Sequence, residues 1–125
     1  MRRSEQRRDA VFALYQHRVT GRPLDELLSG AKPFSRDLAL ETEEHVTELD
    51  EEIGRLSRGW SLERIAPLEL SIMRVALYEM HHREEIPVEV AIDEAVNLAQ
   101  EFCGADAPDF LNGILGAAAR EIGVS

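Results

Sequence analysis

Cysteine is nearly absent from this sequence. Cys103 is the only one, so no disulfide can close within the chain. That excludes the disulfide-stapled scaffolds of small secreted domains and fits a reducing compartment. No apolar run approaches the ~20 residues that a membrane helix needs. No apolar stretch of signal-peptide type follows Met1-Arg2-Arg3-Ser4-Glu5-Gln6-Arg7-Arg8. The expectation is a cytoplasmic protein with no membrane partner. Catalytic signatures are missing too: there is no Walker loop, no dinucleotide fingerprint and no Gly-x-Ser-x-Gly elbow. His17, His45, His81 and His82 build no His-Glu-x-x-His pattern, and one cysteine cannot make a zinc ribbon. His81-His82 with Glu84-Glu85 comes nearest to a metal cluster. Adjacent helical residues point about 100° apart, so a solvated helix end is the better reading. The acid pairs Glu43-Glu44 and Glu51-Glu52 read as the wet face of an amphipathic helix. No catalytic residue, cofactor or metal is expected.

What is present is the composition of one soluble globular domain. The 125 residues are 44% apolar and 30% charged, enough to bury a real core. The net charge of −10 argues at first against nucleic acid, whose phosphates reward clustered Lys and Arg. Its distribution matters more. Residues 1–22 carry six arginines (Arg2, Arg3, Arg7, Arg8, Arg18, Arg22) against Glu5 and Asp9, a balance of +4 that leaves −14 on the remainder. A basic arm on an acidic body suits RNA at the arm and a basic protein at the body. An incidentally Arg-rich helix end explains the same charges.

Nearly every segment between the prolines and glycines has helical period. The first helix is expected from Ser4, as N-cap, to Val19, ended by Gly21 and Pro23. A short helix, Leu24 to Leu28, follows. One long helix is expected from Ser35, as cap, to Ser57, with Leu38, Val46, Leu49, Ile53 and Leu56 on one stripe. Gly59 stops it. Trp60 to Ile65 opens the second half with Ser61 as N-cap. The helix from Leu68 to His82 is apolar around much of its circumference and should be central. Ile86-Pro87 opens the next helix, with Phe102 on its buried face and Gly104 at C′. The last runs from Asp106 or Pro108 to Ile122. The fold class is therefore all-α. About seven helices form one domain over 1–125, in two sub-bundles, about 1–59 and 60–125.

Two places carry recognition chemistry. Arg8, Phe12 and Tyr15 stand at i, i+4 and i+7, so Arg8 and Tyr15 share a face, with Arg3 and Arg7 nearby. Arginine forks grip phosphates and an exposed tyrosine offers a base a stacking surface. A Tyr15 in the core with its hydroxyl at the surface is the competing account. In Phe110-Leu111-Asn112-Gly113-Ile114-Leu115-Gly116, Asn112 and Gly113 interrupt a good helix, Gly113 at about 1 kcal/mol relative to alanine. A glycine there implies close approach of another helix or of a ligand.

These segments resemble the NusB family in order and across nearly the whole chain. Val11-Phe12-Ala13-Leu14-Tyr15-Gln16 after an arginine-rich start is similar to its first helix. Met73-Arg74-Val75-Ala76-Leu77-Tyr78-Glu79-Met80 is similar to its Leu-Arg-x-Ala-x-Tyr-Glu-Leu helix. Ile86-Pro87 with Val90 through Ala99 resembles its Pro-x-x-Val-Ala-Ile-Asn-Glu-Ala-Val-x-Leu-Ala segment. Phe110 through Leu115 resembles its Phe-Val-Asn-Gly-Val-Leu signature. The resemblance implies an all-α fold of two sub-bundles. It implies binding to boxA-type single-stranded RNA of ribosomal RNA leaders, pairing with the ribosomal protein NusE, and entry into the RNA polymerase antitermination complex. Arg2, Arg3, Arg7 and Tyr15 are the RNA contacts implied for the arm, to which the helix face shared with Tyr15 adds Arg8, with Phe110 and Asn112 extending the surface. Glu69, Glu79 and Asp106 are implied for the acidic side that meets NusE. Monomer and homodimer are both compatible with it.

Two departures matter. Ser4-Glu5-Gln6 interrupts the arginines, which predicts weaker RNA affinity and a shallower salt dependence. Gly116 stands where the family often has an acid, so no role passes to it. Two other readings remain. A NusB-like domain of a ribosomal RNA methyltransferase would require continuation into a cofactor-binding α/β domain. A helical protein-interaction module without RNA affinity would make the arginines incidental.

Overall fold

The computed structural model describes residues 2–123. It places seven α-helices in the order α1 (Arg3–Thr20), α2 (Leu24–Leu27), α3 (Pro33–Glu44), α4 (Val46–Leu56), α5 (Pro67–His82), α6 (Val88–Phe102) and α7 (Ala107–Ile122). A 3₁₀ turn, Leu62–Arg64, joins α4 to α5, and no strand occurs among the described residues.

Helix α5 is the hub. Every residue from Leu70 to Met80 is buried, as a helix apolar nearly all round should be. Helices α1, α3, α4, α6 and α7 all pack on it. One apolar cluster runs through Val11, Leu38, Ile53, Leu77, Ala95 and Leu115, so the two halves share a core. The three polar residues within the buried stretch of α5 that carry charge or a phenol each reach a different helix. Arg74 grips Asp50 of α4 through two bonds of 2.7 Å. Tyr78 donates to Glu41 of α3. Glu79 meets Arg7 of α1. Buried charge is tolerated only when so paired.

Several boundaries differ from the sequence reading. Ser4 does not cap α1: Arg2 is the N-cap residue, and Ser4 lies inside the helix, where its Oγ donates to Glu94 of α6 at 2.8 Å. Gly21 ends α1 in the left-handed region, φ 75°, as its position suggested. Ser35 does not cap either. It is buried and donates to the Gln6 carbonyl at 2.8 Å, fastening α3 to α1. The expected long helix is two helices, with a joint at His45, φ −103° and ψ 12°. The His45 ring takes the Glu41 carbonyl through Nδ1 at 2.8 Å. In an unbroken helix that carbonyl accepts the His45 backbone N–H, which instead turns to Thr42. A side chain competing for its own i−4 carbonyl is a known cause of helix bending. Helix α6 begins at Val88 with Pro87 as N-cap. Its C-cap, Cys103, is extended, and Gly104 is not among the positive-φ glycines, so no left-handed cap forms there. Phe102 is 39% exposed rather than buried, edge-on to Phe12 with centroids 4.9 Å apart.

Candidate RNA and partner interface

The arginine arm is not one patch. Arg2 is exposed and lies 3.6 Å from Glu5. Arg8 is half-buried and lines a groove of about 230 Å³ between α1 and α6, together with Glu94, Asn97 and Glu101. Arg3 lies on the α3 side, its guanidinium 4.0 Å from the centroid of the Phe34 ring. Arg18 and Arg22 are exposed, and Tyr15 is half-buried.

Arg7 and Glu79 require correction. The sequence reading gives Arg7 to RNA and Glu79 to the protein partner. In the structure Arg7 is 5% exposed and Glu79 1%. They face each other, Nε to Oε1 at 2.7 Å and Nη2 to Oε2 at 2.8 Å. Glu94 adds a second carboxylate 3.7 Å from Arg7. This bidentate pair ties α1 to α5 and α6 and leaves neither residue a surface to offer. By sequence alone Arg7 looks like the other arginines of the arm, whereas Glu79 lies within the stretch of α5 that is buried throughout.

Phe110 of α7 is half-buried and its ring lies 5.9 Å from that of Trp60. Asn112 and Gly113 are exposed. A Cβ built on Gly113 meets nothing within 4 Å, so close helix packing, one account of this glycine, is excluded. The helix carries a flexible residue on an open face with no internal reason for it. Trp60, Arg64, Glu69, Asp106 and Phe110 surround a cavity of about 380 Å³. Partial burial raises the Glu69 carboxyl above its usual range, because a desolvated carboxylate is penalised. The same burial, with Glu69 nearby, raises the Cys103 thiol. Asp106, the N-cap of α7, makes no capping hydrogen bond, which leaves its carboxylate turned to solvent.

Trp60 and Phe34 escape the sequence reading. Trp60 follows Gly59 at a break and reads as a helix start. Phe34 lies beside Pro33 and has no periodic partner. Only the packing reveals one as the wall of a cleft and the other as a shelf for arginine. The histidines gather at the α3–α4 joint. His82 stacks on Tyr78 at 4.9 Å and lies 4.4 Å from His45, while His81 pairs with Glu52 at 2.8 Å. Among the described residues no group of three or more potential ligands could hold a metal ion. No helix there is long and apolar enough to cross a membrane.

Exposed arginines along α1 and an aromatic, carboxylate-lined cleft beside α7 define a helical recognition protein. The chain belongs to the NusB family, whose model matches residues 4–120. The transcription antitermination protein NusB of Thermoanaerobacter sp. (strain X514) is 35% identical, over 99% of this chain and 94% of the relative. The structure of T. maritima NusB superposes with a TM-score of 0.90 at 30% identity, over 97% of this chain and 92% of that one. A chain from the complex of antitermination factors NusB and NusE with double-stranded RNA gives a TM-score of 0.80 at 21% identity. It covers 97% of this chain and 99% of its own and supports the fold alone.

Proposed function

We propose that this chain is a cytoplasmic transcription antitermination factor without catalytic chemistry. It binds boxA-type single-stranded RNA of ribosomal RNA leaders together with NusE and enters the RNA polymerase antitermination complex. Residues 1–59 and 60–125 act as two sub-bundles of one RNA-binding domain. The arm contributes Arg2, Arg3, Arg8 and Tyr15, and α7 contributes Phe110 and Asn112. Glu69 and Asp106 meet the basic partner. The observation that carries this reading is the open Asn112-Gly113 face of α7. An exposed helical glycine beside an exposed amide weakens the helix, and space left for a ligand backbone accounts for both.

Fluorescence anisotropy of a labelled boxA-type RNA tests it, with the protein alone and then with NusE. Tighter binding with NusE, lost in an Arg2→Ala/Arg3→Ala variant, is the expected result. A folded protein that binds the RNA in neither condition would instead be a protein-interaction module.

A further inference from the structure

Three arginines surround the Phe34 ring: Arg3 at 4.0 Å, Arg7 at 5.6 Å and Arg83 at 5.8 Å. Two of them are neutralised. Arg7 is held by Glu79 and Glu94, and Arg83 by Glu41 at 3.1 Å and Glu85 at 3.8 Å. Arg3 makes no ion pair or side-chain hydrogen bond among the described residues. It is therefore the one cation of the three without a carboxylate. An unpaired arginine on a surface normally samples many rotamers. Here the guanidinium carbon sits over an aromatic ring, 4.0 Å from its centroid, an attraction of charge to the ring's negative face. Phe34 itself is half-buried, on the first turn of α3, and packs against the core. The shelf is therefore built into the fold.

We propose that Arg3 is a base-stacking plane rather than a phosphate clamp, with Phe34 as its positioning residue. An unpaired nucleobase of single-stranded RNA lies on the outer face of the guanidinium and makes a three-layer stack: Phe34, Arg3, base. This rests on the RNA reading above and adds to it the class of group that Arg3 recognises. The chemistry favours a base. A guanidinium is planar, weakly hydrated and stacks on π systems through its face, while its edge keeps N–H donors. A phosphate needs the charge and the edge but not a fixed plane. Lysine would also bind phosphate and be drawn to the Phe34 face, but as a point charge it offers no plane for a base. Stacking also tolerates sequence, since every base has a π face.

The test separates plane from charge. Binding of a single-stranded boxA-type RNA to the full chain with NusE is measured across a salt series. Five proteins are compared: wild type, Arg3→Ala, Arg3→Lys, Phe34→Leu and, as the conservative control, Phe34→Tyr. The expected result is a loss of about fivefold or more for both Arg3→Lys and Phe34→Leu, with an unchanged salt slope for each. Phe34→Tyr retains affinity. Each loss should also vanish when one particular nucleotide of the RNA is made abasic, because the missing base has nothing left to stack. Arg3→Lys binding like wild type, or losses that persist at every abasic position, would overturn the stacking role. If Arg3→Ala binds RNA as wild type does, the stack is overturned while Arg2, Arg8 and Tyr15 still carry the arm; a wild-type chain that binds no RNA with NusE fails the RNA reading instead. Thermal melts of Phe34→Leu identify any loss that comes from unfolding, and Arg3→Lys, at an exposed position, remains decisive in that case.

Discussion

Arg7 and Glu79, separated by 72 residues in sequence, form a closed bidentate pair in the interior, with both bonds at 2.8 Å or less. The pair makes the first turns of α1 a structural element, so the arm's arginines divide by role. Arg7→Ala would leave Glu79 charged and buried. The expected destabilisation is ~3–5 kcal/mol, read from urea or thermal unfolding. Arg7→Met with Glu79→Leu should recover most of it, because the only carboxylate left without Arg7, Glu94, is half-buried and keeps its bond from Ser4. Arg2→Ala, at an exposed position, should leave the melting temperature unchanged. A stable Arg7→Ala protein with impaired RNA binding would return Arg7 to the RNA surface.

Gly113 gives a prediction of opposite sign for stability and binding. Nothing lies within 4 Å of a Cβ placed there, so Gly113→Ala is sterically free. It should stabilise the protein by ~0.5–1 kcal/mol, a rise of a few degrees in melting temperature. RNA binding should weaken if ligand backbone approaches this face. A variant that gains stability and binds RNA unchanged would remove the open face of α7 from the interface.

The cleft between Trp60 and Phe110 can be read directly, because Trp60 is the only tryptophan. It is 52% exposed, so its emission should shift to the blue when a partner covers it. NusE is expected to produce that shift. Glu69→Gln combined with Asp106→Asn should weaken the protein partner about tenfold or more and leave RNA binding by the isolated chain intact. Complex formation with no change in Trp60 emission would place the partner elsewhere.

His82 makes stability depend on pH. Partial burial disfavours its charged ring, and His45 and His81 oppose the charge further, while Glu48 and Glu41 act the other way. The folded value therefore lies below the ordinary 6.5. The unfolded chain takes up the proton first, so this contribution is intact above 6.5 and is lost as pH falls from there through the folded value. The melting temperature should decline as pH falls below about 6.5, and His82→Asn should flatten that decline. An equal decline in both proteins would assign it to other groups.

The motif at Arg74, Tyr78 and Glu79 shows how far pattern reading reaches. With the three other segments in register its residues place the chain in a family, and they mark α5 as central, because apolar period and residue order survive in one dimension. They do not say that each polar group is a tie to a separate helix. Charge signs at Arg7 and Glu79 point to RNA and to a protein. Their burial reverses that meaning, since a paired interior charge recognises nothing outside.

The sequence by itself determined the all-helical class, most of the breaks and the segregation of basic from acidic residues. These follow from local propensity, from the 3.6-residue period and from simple counting. The tertiary structure alone decided the joint at His45, the inward turn of Arg7, the shelf under Arg3 and the cleft at Trp60. Each depends on which helix faces which across tens of residues, and hence on side-chain direction and competition for hydrogen-bond partners. A linear pattern carries no term for either.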